Sequence, residues 1–133
     1  MLNNIDIKRI AKTRLKDSEV LFNAKRYDGS YYLCGYTIEL GLKYRICNTL
    51  DWTDYPATKN EFNAGYQCFK THNLDILLKL SGKEKIVKSK YLADWSNVKG
   101  WNPESRYKPI GTIKVTEAKL MLISSKVILK ALL

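Results

Sequence analysis

The chain is poor in the residues that usually announce chemistry. Its 133 residues hold one histidine, three cysteines and three prolines. Three thiols, Cys34, Cys47 and Cys68, cannot all pair, and a domain of this size does not need disulfide staples. Cys68 and His72 stand at metal-ligand spacing. Cys34 and Cys47, however, fall on one predicted helix roughly 20 Å apart, too far to complete a shared tetrahedral site. The thiols therefore read as buried structural residues. No apolar run approaches the roughly 20 residues of a membrane span. The first residues, MLNNIDIKRIAK, lack the apolar block of a signal peptide, so a cytoplasmic location with no membrane association is expected. Strand-like alternation is missing, and so is any internal repeat. Acidic residues are scarce as well: 13 Asp and Glu stand against 23 Lys and Arg, a net charge of +10.

That charge is uneven. Lys79, Lys83, Lys85, Lys88 and Lys90 face only Glu84, and Lys108, Lys114, Lys119, Lys126 and Lys130 stand beside Glu117 alone. The balance suits a polyanionic partner, RNA or DNA first, or an acidic protein. It is equally what a lysine-rich solvated surface looks like. Only five of the basic residues are arginine, and no arginine-rich recognition helix is present.

With 45% hydrophobic residues, the chain forms one globular domain over residues 1–133, large enough for a single core. Ile7, Ile10, Ala11, Leu15, Ser18, Leu21 and Phe22 recur at helical spacing and predict a first helix over residues 5–25. Tyr27, Asp28, Gly29 and Ser30 make a turn, with Ser30 or Asp28 as cap. A second helix over 30–50 is apolar almost all the way round and belongs in the middle of a bundle, with Leu33, Ile38, Leu42 and Ile46 in the core. The segment DWTDYPATKNEFNAG then has no apolar face and reads as a long, mobile loop, whose Trp52, Tyr55 and Tyr66 are free to meet a partner. A short helix follows over 71–78, capped by Thr71 or Asn73. The next spans 83–98, with Ile86, Tyr91 and Trp95 on one stripe. After a turn-rich connector, the last helix, 112–132, carries Val115, Ala118, Leu122 and Val127 inward. The fold class is all-α: an antiparallel up-and-down bundle of four main helices plus a short fifth.

The second helix places Glu39 and Lys43 about 40° apart around its axis, with Tyr32 and Tyr36 on the same side. Charge in a core helix must be paired or used. One reading is an ion pair with a tertiary partner such as Arg106, fixing helix packing. The other is a polar pocket, in which Tyr32, Tyr36 and Tyr107 offer stacking faces, Lys43 and Arg106 bind phosphate, and Glu39 orients an arginine. Trp95 and Trp101 read as core and helix-end anchors.

Three pieces, GYTIELGLKYRI, THNLDILL and WNPESRY, in this order and at these separations, resemble HEPN domains (higher eukaryotes and prokaryotes nucleotide-binding domains). The likeness spans about residues 9–132. It implies a helical bundle that forms homodimers, a link to nucleotides or RNA, and membership of a toxin–antitoxin or defence system. A small nucleotidyltransferase or an antitoxin is the protein partner it suggests. Nuclease members carry arginine, four to six residues, then histidine. Here the upstream positions of His72 hold Gly65, Tyr66 and Gln67. The resemblance therefore implies a nucleotide- or RNA-binding module without catalysis and without a cofactor. Its site would gather Tyr36, Glu39, Lys43, His72, Arg106 and Tyr107. The alternative is a metal-independent ribonuclease toxin with an atypical site, in which His72 and Arg106 meet across the fold.

Overall fold

A computed structural model describes residues 2–133. The protein is an all-α bundle whose axis is a long helix, buried over most of residues 34–47. The first helix, α1 (Asn4–Asn23), is capped by Asn3, whose side chain accepts from the amides of Ile5 and Asp6. It ends at Lys25 in the left-handed region, at φ 62°. The Arg26 amide donates to Leu21 and the Lys25 amide to Phe22, which satisfies the last carbonyls. The chain turns at once into α2 (Tyr27–Thr49), so that α1 and α2 pack as an antiparallel hairpin. Two buried hydroxyls pin the pair: Ser30 donates to the Ser18 carbonyl at 2.8 Å and Thr37 to that of Ala11 at 3.3 Å.

Helix α2 begins at Tyr27, three residues before the sequence suggests, because the reversal is made by Lys25 and not by Asp28-Gly29. Asp28 is freed for another task. Its carboxylate accepts from the amides of Gly111 at 2.7 Å and Ile113 at 3.0 Å, latching the late connector to the start of α2. Ile38, Leu42 and Ile46 are fully buried. Leu33, expected with them, is only half-buried. Helix α2 ends as α1 does, with Asp51 at φ 56° and the Trp52 amide donating to Cys47.

The following segment is folded, not the mobile loop expected. A two-residue antiparallel ladder joins β1 (Leu2–Asn3) to β2 (Asp54–Tyr55). A single turn, α3 (Lys59–Glu61), leads through a π-turn at Phe62–Tyr66 into a 3-10 turn at Gln67–Phe69. The rings of Trp52, Tyr66, Phe69 and Tyr55 cluster at 5.0–6.3 Å between centroids, edge to face except for the tilted Tyr66–Phe69 contact. Tyr55, expected to be free, is 1% exposed and donates its phenol to the Phe69 carbonyl. Trp52 is likewise packed, and of the three only Tyr66 stays exposed.

Helix α4 (Leu74–Ser81) is capped by the Asn73 side chain and stopped by Gly82 in the left-handed region. The single helix expected over 83–98 is two, α5 (Glu84–Lys90) and α6 (Leu92–Val98), broken at Tyr91. With α6 so aimed, Trp95 is buried and its indole N–H donates to Asp75 of α4 at 2.9 Å. A 3-10 turn at Pro103–Tyr107, entered through an Asn102 cap, leads to α7 (Val115–Leu132). Helix α7 lies against α2 and α6. It buries Ala118, Met121, Leu122, Ser124, Ser125, Ile128, Leu129 and Leu132. Val115, expected inward, is exposed, and Val127 is half-buried. Arg45 of α2 donates to the Leu132 carbonyl at 2.8 Å and holds the cationic end against the negative terminus of α7.

Two glycines let neighbours approach α2. A Cβ on Gly41 would lie 2.7 Å from Leu129, and one on Gly35 only 2.1 Å from ring atoms of Trp101. Trp101 therefore lies directly on the backbone of α2. Among the described residues no helix is long and apolar enough to cross a membrane.

Candidate functional site

The site is built outward from Glu39. Its carboxylate is 3% exposed in the middle of α2 and has two partners. His72 Nδ1 lies 2.6 Å from Oε1, and Lys43 Nζ lies 3.5 Å from Oε2. An ionised carboxylate can only accept, so Nδ1 is the donor in this contact and Nε2 is the ring nitrogen that it leaves over. The His72 side chain is 64% exposed, so one end of it is fixed by a buried acid while the rest meets solvent. Helix α2 supplies the acid. The Thr71-His72-Asn73 approach to α4 supplies the imidazole, held by the Asn73 cap and by the Asn73 amide donating to Thr71.

Beside this pair opens a recess of about 200 Å³, lined by Tyr32, Tyr36, Glu39, His72, Trp101, Pro103, Glu104 and Arg106. Its walls are aromatic. Tyr32 and Trp101 lie 5.9 Å apart between ring centres, and Trp101 is held in place by the bare backbone at Gly35. The indole Nε1 of Trp101 is buried and has no protein partner. Tyr36 is half-buried, and that burial, followed by the nearby Glu39 charge, pushes its phenol above the ordinary value. Arg106 comes from the far side, on the Pro103–Tyr107 turn. Its guanidinium meets the Tyr32 phenol at 3.5 Å and lies 4.8 Å from the centre of the Tyr107 ring. The Tyr32 contact, then the Tyr107 contact, holds its pKa above the ordinary value, and it is a fixed cation.

Of the six residues singled out in the sequence, Tyr36, Glu39, His72 and Arg106 line this recess. Lys43 is attached to it only through Glu39. Its ammonium lies 5.3 Å from the centre of the Tyr55 ring and is not part of the lining. Its ammonium compensates the charge of the buried acid. Tyr107 is 70% exposed and flanks Arg106 from outside. The ion pair expected between Arg106 and Glu39 is replaced by the Tyr32 contact, which leaves Arg106 exposed. Pro103 and Glu104 are lining residues that the sequence did not single out. Their signal was the Asn102-Pro103 entry to a 3-10 turn, which points residues 103, 104 and 106 to one side.

The thiols are placed apart. Cys34 and Cys47 are buried, but Cys68, expected to be buried, is exposed, because it falls on the outer 3-10 turn. Among the described residues no group of three or more His, Cys, Asp and Glu side chains is arranged to hold a metal ion.

Searches against protein-family models, curated proteins and solved structures find no match for this chain.

Proposed function

We propose that the protein is a HEPN-like module that binds nucleotide or RNA through the recess between α2, the His72 approach and the Pro103–Tyr107 turn. The observation that carries this reading is the lining itself. Tyrosine and tryptophan faces stand beside one exposed, permanently charged guanidinium, on a frame fixed by a buried carboxylate. Bases stack on aromatic faces regardless of sequence, and arginine binds phosphate with charge-assisted hydrogen bonds. Glu104 at the rim repels phosphate. It therefore sets the orientation, with the phosphate toward Arg106 and the base toward Tyr32 and Tyr36. The net charge of +10 raises the encounter rate with any polyanion.

The test is a comparison of two charge removals. Arg106→Ala is expected to weaken binding of AMP or of a short RNA at least tenfold. Lys130→Ala, on the exposed face of α7, removes the same charge from the general field and is expected to change it less than twofold. Equal losses in both variants, with folding intact by circular dichroism, reduce the site to a diffuse basic surface.

One observation favours a second reading, a metal-independent ribonuclease. The Glu39–His72 pair fixes the imidazole tautomer so that Nε2 can accept a 2′-hydroxyl proton, and Arg106 shares the recess to meet the phosphorane charge. EDTA-resistant RNA cleavage that His72→Ala abolishes would establish this reading. Its absence leaves the binding module.

The same resemblance proposes a homodimer and, as protein partner, a small nucleotidyltransferase or an antitoxin. The dimer has physical support in Leu120 and Ile123, half-exposed and one turn apart on α7. Sedimentation showing only monomer at tens of micromolar removes it.

A further inference from the structure

A groove that shares no residue with the His72 recess runs between α1 and α7 and holds about 410 Å³. Its apolar lining is Leu15 of α1 with Leu129 and Leu133 at the end of α7. Leu129 is 3% exposed and the other two are half-buried, so the leucines form a recessed floor and not a protruding edge. Lys8 and Lys12 stand along one side, Lys126 and Lys130 along the other. Each pair is four residues apart and therefore shares one face of its helix. The two helices run in opposite directions here. Lys126 pairs with Glu19 at 3.1 Å near one end. At the other, Lys8 lies 5.2 Å from the centre of the Tyr44 ring, next to the Arg45 that holds the Leu132 carbonyl. From Lys8 to Leu15, and from Lys126 to Leu133, is roughly 10 Å at 1.5 Å per residue, about two turns of a helix.

No acid lines the groove. Glu19 answers Lys126 from outside it, and the Leu133 carbonyl accepts from Arg45 at 3.5 Å. Among the described residues Lys12 and Lys130 meet no acid, and both are exposed. Like charges and an apolar floor are thus left unsatisfied together, and one occupant relieves both: apolar along its middle and acidic along its two sides. Nucleic acid suits the lysines but not the floor, because no ring lines the groove for bases to stack on. A bilayer interface takes up apolar side chains that protrude, and these are sunk between two helices. An amphipathic helix reaches into such a groove with side chains spaced three and four residues apart, while acids on its flanks meet lysines on both walls.

We infer that the α1–α7 groove docks an acidic amphipathic helix of a partner protein, its apolar stripe on the three leucines and its carboxylates against the lysines of both walls. The inference does not rest on the proposed role of the His72 recess, and either can fail without the other.

The probe is a fluorescein-labelled helical peptide of about 18 residues, with leucine spaced three and four residues apart and glutamate on both flanks. It is expected to bind the whole protein and to saturate below about 100 μM at low salt. Replacing the peptide's leucines by serine should weaken binding at least tenfold. So should Lys12→Glu/Lys130→Glu, with folding intact by circular dichroism; Lys12→Gln/Lys130→Gln, which removes the charge without reversing it, should give an intermediate loss and serves if the reversal unfolds the protein. Lys85→Glu/Lys99→Glu makes the same charge change at exposed positions outside the groove and should weaken binding less than threefold. Equal losses in the two glutamate variants, a serine peptide that binds as tightly as the leucine one, or no saturation with the leucine peptide overturns the inference. An oligouridylate, or phosphatidylserine vesicles, that binds at least tenfold tighter than the peptide and loses that advantage in Lys12→Glu/Lys130→Glu also overturns it, and assigns the lysines to RNA or to a membrane surface.

Discussion

Replacing Gly35 by alanine tests the packing on which the whole site depends. A methyl group there would lie 2.1 Å from Cγ and Cδ2 of Trp101, whereas carbon atoms rest at about 3.5–4.0 Å. The indole must retreat by roughly 1.5 Å from a position in which it is 3% exposed. If it shifts within the core, the cost is that of overpacking, about 1–3 kcal/mol. If it is expelled, the loss approaches the 3–5 kcal/mol of deleting a buried tryptophan. A value near 3 kcal/mol is expected, read from urea unfolding by linear extrapolation. Gly100→Ala provides the contrast, since a Cβ there meets nothing within 4 Å; its effect should stay within about 0.5 kcal/mol.

A double-mutant cycle makes the argument sharp. In a Trp101→Ala background the clash has no partner, and Gly35→Ala should become neutral or stabilising by up to about 1 kcal/mol, the helix preference of alanine over glycine. A Gly35→Ala penalty that survives undiminished in that background would refute the reasoning, as would a penalty below about 0.5 kcal/mol in the native one.

Leu42→Ala, at a fully buried position of α2, is expected to cost about 2–5 kcal/mol in the same assay. Two amide bonds depress the Asp28 carboxyl below its ordinary 3.8, so its contribution is complete above that value and is lost as pH falls through the lower folded value. Asp28→Ala should therefore be less stable than the native protein at pH 7, and the difference should shrink below about pH 4; a difference that grows in acid contradicts the latch. Burial pushes the Cys47 thiol up to about 11 and raises Cys34 as well, while Cys68 is exposed. A thiol reagent at pH 8 should thus titrate one cysteine in the folded protein and all three in denaturant; fast reaction of two in the folded state would contradict the placement of Cys34 or Cys47.

The all-α class and the central helix were legible because their signal is local. Ile38, Leu42 and Ile46 repeat at helical spacing, and Asn73 and Gly82 mark the ends of α4 by chemistry that operates within a few residues. What escaped the sequence depends on partners far along the chain. Residues 51–69 have no periodicity because their order comes from four aromatic rings meeting across turns, and rings packed in that way leave no repeat. Asp28 looked like a helix cap, since the backbone amides that it could accept from nearby are indistinguishable in sequence from those of Gly111 and Ile113. The polar stripe of α2 was visible for the same reason as the core: charged residues in an apolar helix stand out. Yet its division of labour was not. Glu39 could satisfy either Lys43 or Arg106 by charge alone, and the outcome is set by reach. Lys43 is one turn away on the same helix and His72 comes from a capped, fixed approach, so each carboxylate oxygen has a partner without Arg106. Arg106 is left on the rim against Tyr32, and a guanidinium that the buried acid does not need is one that an incoming phosphate can use.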